Sequence, residues 1–114
     1  MGDGIGGIGG IEMVAVDLDG TLLRADGTIG ARTRLALAAA DAAGIAVVVA
    51  TARPLRYVRT LDLPGDRAAI CSNGAMIANP RTGAVLHSTW LPEDALLHSI
   101  TVLRTRFPDV AFAV

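Results

Sequence analysis

The chain has 114 residues, of which 52% are hydrophobic and 18% are charged, and its net charge is −1. This composition indicates one small domain with an apolar core, and it excludes a disordered chain, a membrane span and the basic surface of a nucleic-acid-binding protein. The single cysteine, Cys71, rules out an internal disulfide and, with no signal peptide at the amino terminus, predicts a cytoplasmic location.

Residues 1–10 contain six glycines and are predicted to form a flexible leader. They spell G-x-G-x-x-G twice, but a dinucleotide-binding loop requires this motif between a strand and a helix. Here the motif precedes the first predicted strand, so we assign it no phosphate-binding role.

Residues 11–22 contain an apolar run, residues 13–16, which is followed by two carboxylates, Asp17 and Asp19. An apolar run that is closed by a turn signal predicts a buried parallel strand, and ligands of open α/β sheets bind beyond such strand ends. Two acids at this position need a cation to offset their desolvation, and Mg²⁺ takes oxygen ligands of this kind. The alternative interpretation of the same residues is an ordinary Asp-Gly turn.

A second apolar run is followed by Thr51, whose side chain carries a hydroxyl. Residues 23–29 contain an Asp-Gly turn that predicts a small hairpin or flap, residues 31–43 have the periodicity of a helix, and residues 45–50 predict a second buried strand. A strand–helix–strand unit makes the two strands parallel. Thr51 is therefore expected at the same sheet edge as Asp17.

The rest of the chain continues the alternation of helices and strands, which predicts an α/β fold. Asn73 and Gly74 follow a third short strand, so a third strand, like those before Asp17 and Thr51, is followed by a polar residue. Asn-Gly is also a common tight turn. In chain order, the remaining predicted elements are a helix over residues 54–61, a turn at Gly65-Asp66, a strand over residues 68–71, a hairpin of residues 76–78 and 84–87, a helix from about Leu91 to about Arg106, and a strand over residues 109–114.

Three motifs in this order resemble those of the haloacid dehalogenase (HAD) superfamily of phosphohydrolases, and in particular its Cof-like branch. They are D-x-D-G-T-L beginning at Asp17, Ala50-Thr51-Ala52-Arg53, and Asn73-Gly74-Ala75. The resemblance implies a Rossmann-like (HAD-like) parallel sheet with flanking helices. In the family the second motif is usually Ala-Thr-Gly-Arg, so Ala52 replaces a glycine here. This replacement affects the local backbone angle and leaves the hydroxyl of Thr51 in place.

The resemblance also implies roles for individual residues. Asp17 would be the nucleophile that takes the phosphoryl group, Asp19 would be the general acid and base, and both would lie at a Mg²⁺ site. Thr51 and Arg53 would bind the phosphate, and Asn73 would face the substrate. The remaining positions that the resemblance places in phosphate or substrate binding are Leu18, Gly20 and Gly74.

The resemblance covers residues 11–88 as a partial core, and residues 89–114 resemble the start of an inserted cap domain. Family members continue with a lysine or arginine that holds the phosphate and with a Gly-Asp motif that completes the metal site. Neither of these two features is found here: the chain has no lysine, and its only acidic residue after Asp94 is Asp109, which precedes a predicted strand. The chain is therefore similar to the amino-terminal part of such a protein. Without the strand that carries the late acids, we expect an unpaired sheet edge and self-association through it.

The function implied is Mg²⁺-dependent hydrolysis of small phosphorylated metabolites such as sugar phosphates, with neither nucleic acid nor membrane as a partner. Two alternatives remain open. The chain could be a non-catalytic fragment or degenerate copy that only binds phosphate or a partner, or it could belong to a phosphomutase, since D-x-D alone does not decide which group accepts the phosphoryl group.

Overall fold

The computed structural model describes residues 10–64 and 68–113. Residues 1–9 of the predicted leader and the predicted turn at Gly65-Asp66 lie outside these ranges. The strands are β1 (Met13–Val16), β2 (Ala46–Ala50), β3 (Ala69–Cys71), β4 (Met76–Ala78) and β5 (Val85–Ser88), and the helices are α1 (Ala31–Ala42), α2 (Leu55–Thr60) and α3 (Glu93–Arg106). No helix within these ranges is long and apolar enough to cross a membrane.

The five strands form one sheet in the order β1-β2-β3-β4-β5. β1, β2 and β3 are parallel, with Val16 opposite Val49 and Ala50 opposite Ile70. β4 and β5 form the predicted hairpin and run antiparallel to their neighbours. The fold is therefore the predicted α/β arrangement, and the carboxyl ends of the three parallel strands meet at one edge of the sheet.

Local sequence signals explain where the helices begin and end. α1 ends before Gly44, whose φ of 78° lies in the left-handed region that glycine adopts without a steric penalty. α2 follows Pro54, and α3 carries acids in its first turn and arginines in its last turn, which complements the helix dipole.

The core lies between the sheet, α2 and the loops that follow β1. Its buried side chains come from β2, β3, α2 and these loops. The apolar members are Leu18, Leu23, Ile29, Val49, Val58, Leu61, Ala69 and Cys71. The loop that carries the two acids is thus anchored in the same core as the central strands.

The prediction that β1 is a buried strand was wrong. Met13 is 59% exposed and Val14 is 42% exposed. The reason is the position of β1 at the end of the sheet, where β2 is its only partner among the described strands. α1 contacts β2, and none of the residues of α1 is buried, so this helix leaves the faces of β1 largely open.

Two further predictions differ from the structure. Residues 109–113 form no strand: the N–H of Val110 donates to the carbonyl of Phe107 in a turn after α3, and a strand requires a paired neighbour that this described segment does not have. Residues 23–29 form a closed turn in which neither arm is a strand. Arg24 N–H donates to Thr28 O (2.8 Å) and Gly27 N–H donates to Arg24 O (2.9 Å).

Candidate active site

The loop after β1 turns sharply around a buried leucine. Leu22 N–H donates to Asp17 O (3.3 Å) and Leu23 N–H donates to Leu18 O (2.9 Å), which closes one wide turn. Gly20 has a φ of 75° in this turn, and no atom lies within 4 Å of the position that a Cβ would take, so glycine is needed for its backbone angle. Leu18 is fully buried, and the acids on either side of it are exposed.

Asp17 lies at the carboxyl end of β1 and faces a cleft between the parallel strands. Its Oδ1 accepts the N–H of Leu18 at 2.8 Å, which fixes the orientation of the carboxylate. The cleft is lined by Asp17, Ala50, Thr51, Ala52, Ile70, Asn73 and Gly74. Four of the predicted site residues therefore meet in one cleft, as expected from the shared edge of their strands.

Thr51 connects the loops after β2 and β3. Its side chain is buried, and its Oγ1 accepts the N–H of Arg53 at 3.0 Å. The Thr51 N–H donates to Ile70 O (2.9 Å), and its carbonyl accepts the N–H of Asn73 (3.2 Å). A hydroxyl that accepts one hydrogen bond still has its own proton to donate, so Thr51 can donate to an anion in the cleft.

The loop after β3 adopts an unusual backbone conformation. Ser72, Asn73 and Gly74 have φ angles of 51°, 55° and 92°, three consecutive residues in the left-handed region. Asn and Gly adopt this region more readily than other residues, which explains the Asn-Gly pair. Ser72 N–H donates to Arg53 O at 3.0 Å, so this turn is tied to the loop after β2.

Arg53 and Asp19 form a bidentate ion pair. Arg53 Nε donates to Asp19 Oδ2 (3.0 Å) and Nη2 donates to Oδ1 (2.8 Å). The Arg53 hydrogen bonds and charge hold the pKa of Asp19 below its ordinary value, and Asp19 in turn raises the pKa of Arg53. Neither residue is among those that line the cleft, and Arg53, which is predicted to bind phosphate, is paired with the predicted general acid in this structure.

Tyr57 contacts a predicted site residue and was not singled out from the sequence. The Arg53 guanidinium lies 4.4 Å from the centre of the Tyr57 ring, a cation–π distance. Tyr57 follows Arg53 by four residues and lies in α2. The spacing of an arginine and an aromatic residue around the start of a helix was the available signal, but it is common and non-specific.

The donors near the cleft fit Mg²⁺ in chemical type. Mg²⁺ binds carboxylate and carbonyl oxygens and usually keeps several waters. The Asp17 carboxylate is exposed to the cleft, whereas both carboxylate oxygens of Asp19 are bound by Arg53. Within the described ranges, no group of three or more His, Cys, Asp or Glu residues could hold a metal ion. The described residues therefore offer a partial set of ligands.

A family model of haloacid dehalogenase-like hydrolases matches residues 14–114. The chain belongs to this family. A curated relative, the putative phosphatase YxeH of Bacillus subtilis (strain 168), is 37% identical over 91 residues, which cover 75% of this chain and 33% of the relative.

Solved structures of the same family have the same fold. A haloacid dehalogenase-like hydrolase from B. subtilis has a TM-score of 0.76 and 30% identity, and the match covers 84% of this chain and 34% of that one. The HAD phosphatase BT1666 of Bacteroides thetaiotaomicron has a TM-score of 0.75 and 28% identity, with 84% and 36% covered. The chain thus spans about a third of the length of these relatives, which fits its resemblance to an amino-terminal part.

Proposed function

We propose that the protein is a Mg²⁺-dependent phosphohydrolase of small phosphorylated metabolites, of the sugar phosphate type, in which this chain carries the nucleophile and part of the phosphate site. The observation that carries the proposal is the cleft in which Asp17, Thr51, Asn73 and Gly74 meet. Family membership supports the reaction class, because both the curated relative and one solved structure are described as phosphatases.

The first step that this arrangement supports is attack by Asp17. A carboxylate oxygen of Asp17 forms a bond to phosphorus while the bond to the leaving oxygen breaks, which gives an aspartyl-phosphate. Among the residues that line the cleft, Thr51 with its hydroxyl and Asn73 with its side-chain amide can donate to the phosphoryl oxygens. Asp19 in its protonated form donates a proton to the leaving oxygen. In the second step the resulting carboxylate takes a proton from the water that hydrolyses the intermediate, which restores the protonated form.

Asp17, together with the backbone carbonyl of Asp19, would hold Mg²⁺. The ion would neutralise charge between the carboxylate nucleophile and the phosphate. Its remaining ligands would be phosphate oxygens, water and carboxylates beyond those that the described residues offer.

The test is hydrolysis of a generic aryl phosphate by the chain with and without Mg²⁺, in the parent, Asp17→Asn and Asp94→Asn. Asp94 lies in the first turn of α3 and does not line the cleft, so Asp94→Asn is the matched control for loss of one charge. We expect Mg²⁺-dependent turnover in the parent and the control, and a loss of at least about 10³-fold in Asp17→Asn, because the nucleophile is removed.

Equal turnover in Asp17→Asn and the parent would contradict the assignment of the nucleophile. Absence of turnover from all three proteins would contradict catalysis by this chain alone. It would favour the second candidate, a chain that binds phosphate without hydrolysing it. That candidate is supported by the ion pair that occupies both oxygens of Asp19 and by the partial set of metal ligands among the described residues.

A further inference from the structure

The Arg53–Asp19 ion pair conflicts with the role of Asp19 in the reaction. A carboxylate whose two oxygens both accept hydrogen bonds from one guanidinium is not placed to exchange a proton with a leaving group. We propose that Arg53 exchanges partners: it binds Asp19 before the substrate arrives and turns to the phosphoryl group when the substrate binds, with Tyr57 supporting its guanidinium in both positions. This inference rests on the proposed function and identifies how substrate binding frees the acid.

The backbone of Arg53 is held on both sides, so the exchange involves its side chain alone. The Arg53 N–H donates to Thr51 Oγ1 at 3.0 Å, and the Arg53 carbonyl accepts the N–H of Ser72, also at 3.0 Å. These bonds join Arg53 to a residue that lines the cleft and to the loop that carries Asn73. The base of the side chain therefore keeps a constant position beside the cleft.

The ion pair is open to competition by an anion. The side chain of Arg53 is 45% exposed and that of Asp19 is 52% exposed, so water reaches both partners and screens their attraction. A phosphate dianion carries more charge than a carboxylate, and its oxygens also match the planar donors of arginine. The phosphate can therefore displace Asp19 from the guanidinium.

Tyr57 supplies a surface on which the guanidinium can turn. Arg53 Cζ lies over the ring, 4.4 Å from its centre, and a guanidinium held in this way can still donate its N–H groups to an anion, as Arg53 does to Asp19. The attraction between a cation and a ring face does not require one in-plane orientation. Tyr57 is therefore a positioning residue that acts through Arg53.

The experiment is a double-mutant cycle that measures the Kd for inorganic phosphate at pH 8, where the dianion predominates. The four proteins are the parent chain, Asp19→Asn, Arg53→Gln and the double variant. Binding is followed by NMR of the backbone amides of Thr51 and Asn73, with sodium chloride at equal ionic strength as the control for screening. The signal of the Arg53 Nε–H group reports its partner directly.

We expect Asp19→Asn to tighten phosphate binding about fivefold, because it removes the competitor for Arg53. In the Arg53→Gln background the same substitution should change the Kd less than twofold. Saturating phosphate should move the Arg53 Nε–H signal of the parent. Tyr57→Leu should weaken binding several-fold, whereas Tyr57→Phe, which keeps the ring, should stay within twofold of the parent.

Three results would overturn the exchange. Equal tightening by Asp19→Asn in both backgrounds would mean that Asp19 acts on phosphate by direct repulsion. An Arg53 Nε–H signal that does not move at saturating phosphate would mean that Arg53 keeps its partner, while the shifts at Thr51 and Asn73 would still support the phosphate site. No shift at Thr51 or Asn73 would overturn both the exchange and the phosphate site of the proposed function.

Discussion

Thr51 is the residue on which the geometry of the cleft depends most. Its three hydrogen bonds reach Arg53 on its own loop, Ile70 on β3 and Asn73 on the next loop. Under the proposed function, its hydroxyl would also donate to the phosphate. One small side chain would therefore contribute to both the structure of the cleft and the binding of its ligand.

Replacing Thr51 by valine tests these two contributions. Valine keeps the shape of the side chain but leaves the Arg53 N–H without its acceptor, so we expect a loss of about 1 kcal/mol in the free energy of unfolding. Phosphate binding should weaken as well. Thr51→Ser keeps the hydroxyl and should lie close to the parent in both urea unfolding and phosphate Kd. A valine variant that matches the serine variant in both measurements would show that the hydroxyl is dispensable.

For single residues, the sequence correctly predicted the positions of those that directly follow a strand. Asp17, Thr51, Asn73 and Gly74 follow apolar runs, and the parallel order of those runs brings them together. The pairing of Asp19 with a residue 34 positions later depends on rotamers of two long-range partners, which no local pattern specifies. The contact between Arg53 and Tyr57 was missed for a different reason, because an arginine and an aromatic residue four positions apart are too common to indicate a contact.

Among the elements, the turn between β1 and residue 23 joins the site to the core. Leu18 is fully buried and lies between the two acids, so the packing of its side chain holds both carboxylates in place. The bonds that close the turn are made by backbone atoms of Asp17 and Leu18. The stability of the core and the position of the acids are therefore coupled at this element.

Leu18→Ala should lower the free energy of unfolding by about 2–5 kcal/mol, because it leaves a cavity in the core. Ile11→Ala is the matched control, since Ile11 is 48% exposed and lies just before β1. We expect the control to cost about 0.5 kcal/mol or less. Thermal or urea unfolding followed by circular dichroism measures both variants. Similar losses in the two variants would contradict the view that Leu18 anchors the turn.

The strands and helices themselves were predicted closely, because apolar runs and helical periodicity are local signals. The burial of β1 was not, since it depends on which strands and helices lie beside it. The segment after α3 has the composition of a strand, but composition cannot supply a partner. Its apolar residues pair with no strand in the described part of the chain.

Taken as a whole, the molecule is extended for its size. Its dimensions are 63 × 32 × 26 Å and its radius of gyration is 17.9 Å, against about 13 Å for a compact domain of 100 residues. Large apolar side chains are exposed on β1, on α3 and directly after α3, among them Met13, Val14, Leu97 and Phe107. An extended chain with an apolar strand whose outer edge has no partner among the described strands favours association with other strands.

We therefore propose that the chain self-associates through β1. Size-exclusion chromatography with light scattering should give a mass above 11.7 kDa that rises with concentration. Met13→Lys should lower that mass, because a charge on an edge strand opposes pairing. Leu86→Lys is the matched control, since Leu86 is 62% exposed on β5 at the opposite end of the sheet. A monomer at all concentrations, or an equal effect of the two substitutions, would contradict association through β1.

The buried cysteine in β3 has a practical consequence. Cys71 is fully buried in the central part of the sheet, and burial raises the pKa of its thiol, so an alkylating reagent can react only when this part of the sheet opens. Because the chain has no other thiol, the rate of its modification measures how often that opening occurs. The protein thus contains its own chemical reporter of local unfolding immediately before the loop of Asn73, and no label has to be introduced.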